Sequence, residues 1–268
     1  MPTGDGIQLR DPPCEERVSN TQGAPHVDRG MGDNTGANRL LDALPIGESR
    51  RLRRALSPVF LDIETVLFEP GEPITFVDFP RNCVVSLVTP FQGGTSVEVA
   101  TIGNEGIVGV PMCPGGSLAF RAVSSVAGWV DRMDAARFLD EIKADRHLHE
   151  LVNDYVRAFF GEIAQAAACN RLHSNEERLS RWLLMSHDRV GTDEFAITHE
   201  VLGQILGSRR ATVTLSAERL RAAGLISYHR GRVTIIDRGG LEAAACECYR
   251  AITTELDGVV RRAYQRRP

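Results

Sequence analysis

The sequence predicts an α+β fold in three parts, on three observations. Residues 59–133 hold short β-branched runs separated by glycine and proline turns, which is typical of a β-sandwich or barrel. Residues 134–170 place apolar side chains at steps of three and four, which is helical periodicity. After residue 171, two short amphipathic helices precede a β-hairpin, which is the order of a winged helix-turn-helix.

The totals favour an ordinary globular protein. Of 268 residues, 43% are hydrophobic and 25% are charged. The sequence contains no apolar run of 18 residues and no basic-then-apolar N-terminus, so we expect neither a membrane span nor a secretory signal. The six cysteines show no framework spacing, which favours reduced thiols and a cytoplasmic location.

Two of the cysteines, Cys246 and Cys248, form a C-x-C pair that hints at a metal or redox role. Because no second pair accompanies them, we assign no metal site and expect no cofactor. We expect Cys83, Cys113 and Cys169 to be small buried hydrophobes.

The chain divides into five segments. Residues 1–36 are rich in Gly, Pro, Asn and Asp, which predicts a disordered tail. A short helix begins near Asn38, and a second is expected from Glu48 to Leu56. The expected divisions are a strand-rich domain at 37–133, a long helix at 134–170 that is one helix or two, a winged helix-turn-helix at 171–240 and a C-terminal helix at 241–268. The apolar stripe of the long helix must be buried, either in a packed core within one chain or in a coiled coil of two chains, and the sequence allows both.

The helix-turn-helix is predicted from its caps and turns. Thr198 is a suitable N-cap for a first helix, and Gly207 suits a tight turn with positive φ. Ser208 is expected to cap the second helix, and Gly224 to end it in the C-cap position. Val213, Ala217 and Leu220 are expected to point inward.

This segment also has the charge of a nucleic-acid contact. Residues 196–238 contain seven arginines against three acidic residues, whereas the whole chain has a net charge of −4. Such a local basic face is typical of a DNA-binding module. The expected contacts are Arg209, Arg210, Thr212 and Ser216 in the second helix, Thr198, His199 and Ser208 on phosphates, and Arg230 and Arg232 at the tip of the hairpin.

The sequence resembles the Crp/Fnr family of bacterial regulators over about residues 38–250. The matching features are Ile197-Thr, Gly203-Gln-Ile-Leu-Gly, Arg210, Thr212-Val and Gly224-Leu-Ile. A second set, from Ala168 to Ser174 and Arg178 to Met185 with Ala244-Ala-Cys-Glu-Cys-Tyr, is similar to one branch of that family.

The resemblance implies an N-terminal double-stranded β-helix (a β-roll of the cyclic-nucleotide-binding type), a long dimerisation helix and a C-terminal winged helix. It also implies a homodimer on a palindromic site in double-stranded promoter DNA, with RNA polymerase as a further partner. Two positions depart from the pattern, since Ala211 stands where well-studied members have Glu and Leu215 where they have Arg. We therefore expect a different half-site.

The resemblance places a cyclic-nucleotide cassette at residues 106–123, and this chain lacks most of it. Gly109 fits, but Val110 replaces the Glu that binds the ribose, and Arg121 matches the phosphate-binding Arg only in one register. Burying a phosphate beside apolar side chains without its partners is costly, so we expect some other small-molecule effector, with Gly109 and Arg121 as candidate contacts. A cyclic-nucleotide-responsive regulator is the alternative.

Two other classes of protein compete with a DNA-binding regulator. An enzyme is not favoured, because the sequence contains no nucleophile elbow, Walker loop, dinucleotide fingerprint or zinc-protease helix. A cyclic-nucleotide module acting on a protein partner would not explain the basic second helix and hairpin.

Overall fold

The first half of the described chain is a β-roll of two facing sheets. The structure, a computed structural model, describes residues 36–91, 96–110 and 116–267. The expected tail, Cys14 and Cys113 lie outside these residues, apart from Gly36 at the end of the tail. The strands are β1 (Ser57–Leu61), β2 (Val66–Phe68), β3 (Phe76–Pro80), β4 (Val84–Pro90), β5 (Ser96–Ile102), β6 (Arg121–Val126) and β7 (Gly128–Asp134).

The two sheets have the orders β1-β7-β3 and β2-β6-β4-β5, and all their pairings are antiparallel. Strand β4 lies between β5 and β6, and its first five residues, Val84 to Val88, are all buried. A continuous buried run is expected of a central strand that is covered on both faces. The strand-rich prediction is confirmed.

Two helices precede the strands of the roll in sequence, and two follow them. Helices α1 (Arg39–Ala43) and α2 (Ile46–Arg53) precede it, and α3 (Ala135–Ala144) and α4 (Arg146–Leu172) follow. The predicted long stripe is therefore two helices. They separate at Asp145, whose extended backbone ends α3 and whose carboxylate accepts a hydrogen bond from Leu148 N to cap α4.

The winged helix begins with α5 (Asn175–Val190), which opens with a capping box between Ser174 and Glu177. Strand β8 (Glu194–Ala196), α6 (His199–Leu206), α7 (Arg210–Ala222), β9 (Ile226–His229) and β10 (Arg232–Ile235) follow. Their sheet has the order β8-β10-β9, so the predicted hairpin gains a third strand. Strand β8 has three residues, too few for a period-two pattern.

The C-terminus differs from the single expected helix. It forms α8 (Arg238–Ala244) and α9 (Cys248–Gln265), so a boundary at 240 falls inside α8. Ala245 is extended, which breaks the helix, and Cys246 and Cys248 lie at this break. Helix α9 packs along α4, with Ile252, Leu256 and Val259 buried. Among the described residues, no helix is long and apolar enough to cross a membrane.

Candidate nucleic-acid interface

Helix α6 starts where the sequence predicts. The hydroxyl oxygen of Thr198 accepts a hydrogen bond from Val201 N, as an N-cap does. The residue stays exposed, and its hydroxyl hydrogen is available to a phosphate oxygen. Thr198 also lies beside the hairpin turn, because Ile197 N donates to Gly231 O at 2.9 Å. The start of α6 and the tip of the hairpin therefore share one surface.

The turn between the two helices depends on Gly207. Its φ is +58°, in the left-handed region, and an added Cβ would lie 3.1 Å from a methyl carbon of Val97 in the roll. A side chain here would be strained by its backbone and crowded by the roll. The predicted positive φ is confirmed.

The second helix does not begin at the predicted N-cap, Ser208. The N-cap of α7 is Arg209, which makes no side-chain capping bond. The hydroxyl of Ser208 instead donates to Asn175 Oδ1. It ties the turn to α5 and is half-buried, so it is less open to a phosphate than expected. Arg209 begins the helix as an exposed residue.

The end of α7 is a Schellman motif. Leu225 N donates to Leu220 O, and Gly224 N donates to Arg221 O, both at 3.0 Å. Gly224 has a φ of +76° and follows the C-cap Ala223, one residue later than expected. Val213, Ala217 and Leu220 are buried, as predicted.

Helix α7 separates its buried face from a charged one. Ser216 is 5% exposed and lies on the packed face of the helix. The structure therefore corrects the prediction that Ser216 contacts DNA. It follows Val213 by three residues, which places it on the same side of the helix. Arg209, Arg210 and Ala211 are exposed, and Thr212 is half-buried beside them.

The arginines of this segment fall into two groups. Arg219, Arg232 and Arg238 form ion pairs with Glu176, Glu194 and Asp188. Within the described chain, Arg209, Arg210, Arg221 and Arg230 have no ion-pair partner. Unpaired arginine forks lose no internal partner when they bind phosphate or guanine.

The hairpin tip has an unusual backbone. Arg230 and Gly231 have φ values of +47° and +76°, which define a two-residue turn with both central residues in the left-handed region. Arginine is disfavoured there by roughly 1–2 kcal/mol. Arg230 is nevertheless exposed at this position, where Asn or Gly would adopt the backbone conformation more readily.

His199 differs from its predicted role. Its Nδ1 lies 2.9 Å from Thr214 Oγ1, and its ring stacks on Tyr228 with centroids 4.2 Å apart. Its Nε2 is buried without a partner among the described residues. Burial and then the charge of Arg210 lower the pKa of His199, which favours the neutral form of the ring. His199 therefore joins α6, α7 and β9, with one ring nitrogen beside the Thr214 hydroxyl and the other buried.

Comparisons with known proteins agree with this geometry. A Crp-like helix-turn-helix domain matches residues 177–244. The global nitrogen regulators of Nostoc sp. and Synechococcus elongatus are each 24% identical to this chain, over 63% and 64% of its length and 80% and 82% of theirs.

Solved structures share the fold. The structure of FixK2 from Bradyrhizobium japonicum superposes with a TM-score of 0.61 at 14% identity, covering 71% of this chain and 98% of its own. A CRP-family transcriptional regulator from Thermus thermophilus superposes with a TM-score of 0.58 at 17% identity, covering 70% and 96%.

This chain contains a Crp-like helix-turn-helix domain and shares the fold of Crp/Fnr regulators.

The chain is therefore a Crp-like transcription regulator with a helix-turn-helix DNA-binding domain. The predicted α+β fold of roll, long helix and winged helix is confirmed. The family is one of regulators rather than enzymes.

The cassette region of this Crp/Fnr roll encloses a small apolar cavity. Its volume is about 100 Å³, below the roughly 300 Å³ at which ligand pockets usually begin. Its described lining is almost wholly apolar and includes Gly109, Val110, Phe68, Phe120, Tyr155 and Phe159. The last two belong to α4, so the cavity lies between the roll and the long helix.

The two candidate ligand residues have structural roles. Gly109 has a φ of +73°, and an added Cβ would lie 2.6 Å from Phe76 O, so glycine is required by the backbone. The Nε of Arg121 donates to Glu69 Oε2 at 2.8 Å, and both side chains are about two-fifths exposed. Arg121 is therefore paired at the surface, and the cavity lining does not include it.

A buried ion network joins the roll, α4 and the winged helix. The guanidinium of Arg189, on α5, lies 2.7 Å from Glu105 Oε1 and 3.8 Å from Glu162 Oε1. It also donates to Thr101 O at 2.9 Å. All three charged side chains are at most 6% exposed. The charged members of the network are 27 to 84 residues apart, so no local sequence motif predicts it.

Proposed function

We propose that this Crp/Fnr protein is a dimeric, sequence-specific regulator that reads a two-fold symmetric promoter site with α7. The observation that carries the proposal is the pair of exposed, unpaired arginines, Arg209 and Arg210, at the N-terminus of α7. In helix-turn-helix proteins this end of the second helix enters the major groove. Such a regulator acts in the cytoplasm, where bacterial DNA is.

The proposed contacts divide by role. Arg209 and Arg210 present forks that match guanine O6 and N7, and Thr212 lies beside them. Thr198 and Arg230, on the shared surface of α6 and the hairpin, suit phosphate oxygens. Arg232 reaches phosphate only by leaving Glu194, so we expect it to contribute less.

The proposed dimer contact is the open face of α4. One side of this helix packs on α9 and the roll, with Leu151, Tyr155 and Cys169 buried. The other side exposes Phe160 and Leu172, at 73% and 75%, with small residues between them: Gly161, Ala164, Ala167 and Ala168. A second copy of this helix would cover the apolar stripe.

Two variants test the dimer. Phe160→Glu is expected to convert the dimer to a monomer in sedimentation equilibrium, because it places a charge in the apolar contact. Ile46→Glu is the matched control, since Ile46 is 70% exposed but lies on α2. A monomeric wild type, or a Phe160→Glu dimer of unchanged affinity, would contradict the proposed contact.

The proposed sensor is the roll, and its effector is a small molecule other than a cyclic nucleotide. The described part of the lining is apolar and offers a phosphate no charged partner, and the Val110 side chain offers none to a ribose hydroxyl. Since Tyr155 and Phe159 line the cavity from α4, an occupant would contact the proposed dimer helix directly. RNA polymerase is the further partner we propose at the promoter.

The DNA contacts are tested by measuring the affinity for a fluorescently labelled promoter fragment, by fluorescence anisotropy at fixed salt. Arg209→Ala and Arg210→Ala are each expected to weaken binding by about 1–3 kcal/mol. Arg221→Ala is the control, because Arg221 is also exposed and unpaired but lies in the last turn of α7. Equal losses in all three variants would mean a nonspecific charge effect. Cyclic AMP is expected to change none of these affinities.

A further inference from the structure

Three thiols and an imidazole meet at the joint between α4 and the C-terminal helices. Cys169 lies in the last turn of α4, and His173 is its C-cap. Cys246 and Cys248 flank the break between α8 and α9. One ligand atom from each of the four residues lies within 4.8 Å of the others. The C-x-C pair therefore has the second pair that the sequence alone did not reveal.

The distances match the edges of a tetrahedral metal site. With Zn–S of about 2.3 Å and Zn–N of about 2.0–2.1 Å, tetrahedral geometry separates two sulfurs by about 3.8 Å and sulfur from nitrogen by about 3.5 Å. The Sγ atoms of Cys169 and Cys246 are 3.6 Å apart, and Cys248 Sγ lies 3.6 Å from His173 Nδ1. A disulfide would need about 2.05 Å.

Groups around the cluster hold the ligands in place. His173 turns Nδ1 towards Cys248, while its Nε2 lies 3.2 Å from Glu247 Oε2. This is the carboxylate–histidine arrangement that orients metal-bound imidazoles. Gln165 Nε2 donates to Cys248 Sγ at 3.1 Å.

Two buried cations balance the charge of a thiolate cluster. Arg178 and Arg181 are 7% and 6% exposed, and the Nε of each is buried without a partner among the described residues. Both interact electrostatically with the cluster. Three thiolates and a divalent cation carry one net negative charge, which these guanidinium groups would stabilise.

We propose that Cys169, His173, Cys246 and Cys248 bind one Zn²⁺ ion in a closed, structural site. Thiolate-rich tetrahedral sets select zinc, and four protein ligands leave no position for substrate. The ion would clamp the end of α4, immediately before α5 begins, to the α8–α9 break. It would thereby fix the joint between the proposed dimer helix and the DNA-binding domain.

The test measures the metal content of the purified full chain by inductively coupled plasma mass spectrometry. We expect about one zinc per wild-type chain, and at least about tenfold less in Cys246→Ser and Cys248→Ser. Cys83→Ala is the matched control, because Cys83 is equally buried but lies in the roll, and it should retain its zinc.

A second measurement tests metal binding in the wild-type chain, so that it does not depend on whether the Cys→Ser variants fold. The chelated wild type is titrated with Co²⁺, which should give tetrahedral d–d and thiolate charge-transfer bands. His173→Cys should keep binding with an altered spectrum, since it supplies a fourth thiolate. Four results would each overturn the proposal. The first is a zinc-free wild type without Co²⁺ bands, and the second is full zinc in Cys246→Ser. The others are iron in place of zinc and a Cys169–Cys246 disulfide without metal. None of these results depends on DNA binding.

Discussion

Glu98 is a buried carboxyl between the roll and the winged helix, and we expect it to make stability depend on pH. It lies on β5, where its Oε2 accepts hydrogen bonds from Ser86 Oγ at 2.6 Å and Trp182 Nε1 at 3.3 Å. Burial raises the pKa of Glu98 to about 7, despite these hydrogen bonds and the charges of Arg181 and Arg189, which lower it.

The magnitude follows from linkage. A carboxyl pKa of about 7 in the folded state, against 4.5 in the unfolded state, destabilises the folded state by on the order of 3 kcal/mol when the group is ionised. Below pH 4.5 both states are protonated, so the cost is absent. It grows as pH rises from 4.5 to 7 and is then constant. Glu98→Gln removes the titrating group and should remove this dependence.

The assay is urea unfolding of the wild type and Glu98→Gln at several pH values from about 5 to 8. The free energy of unfolding of the variant, relative to the wild type, should rise by about 2–3 kcal/mol across this range. Burial also raises the pKa values of Asp78 and Glu162. Their contributions to the pH dependence of stability are the same in both proteins and cancel in the comparison. Glu255→Gln, on the exposed face of α9, is the control and should show no such rise.

Parallel pH profiles for the wild type and Glu98→Gln would contradict a raised pKa of Glu98. They would mean that Glu98 titrates at its ordinary pKa, and hence that water or a cation compensates its charge. A relative stability that falls with pH would reverse the sign and refute it more strongly.

Three further substitutions have defined outcomes. Arg189→Ala should lower the free energy of unfolding by about 3–5 kcal/mol, because it leaves Glu105 buried without its cation; a loss below about 1 kcal/mol in urea would contradict the network. Arg230→Asn should raise thermal stability by up to about 1 kcal/mol while weakening DNA binding in anisotropy, since Asn suits the turn but lacks the charge; unchanged binding would contradict the phosphate contact. Gly191→Ala should cost about 1 kcal/mol in urea unfolding, because Gly191 ends α5 at a φ of +74°, and a neutral effect would contradict that geometry.

Local signals in the sequence predicted the winged helix well. The N-cap Thr198, the turn glycine Gly207 and the Arg230-Gly231 turn are properties of a few neighbouring residues, and the structure confirms all three. The misplaced cap at Ser208 has a tertiary cause, because Asn175 on α5 takes its hydroxyl hydrogen. The buried position of Ser216 could have been read from its spacing to Val213.

Features built from distant segments could not be predicted in this way. The thiol cluster joins residues 77 positions apart in sequence, and Cys246–Cys248 gave only half of it. The Arg189 network likewise joins the roll, α4 and α5, and none of its members forms a local motif. Sequence spacing reports such sites only when the ligands lie on one or two neighbouring elements.

Selection of DNA from a random library with the purified chain, at fixed salt, would show whether α7 recognises a symmetric DNA site. We expect enrichment of a two-fold symmetric site whose half-site centres lie about 10–10.5 base pairs apart. With Arg209→Ala/Arg210→Ala we expect a changed or lost half-site. Failure to enrich any symmetric site, or selection of the same half-site by the double variant, would contradict the assignment of α7 as the reading helix.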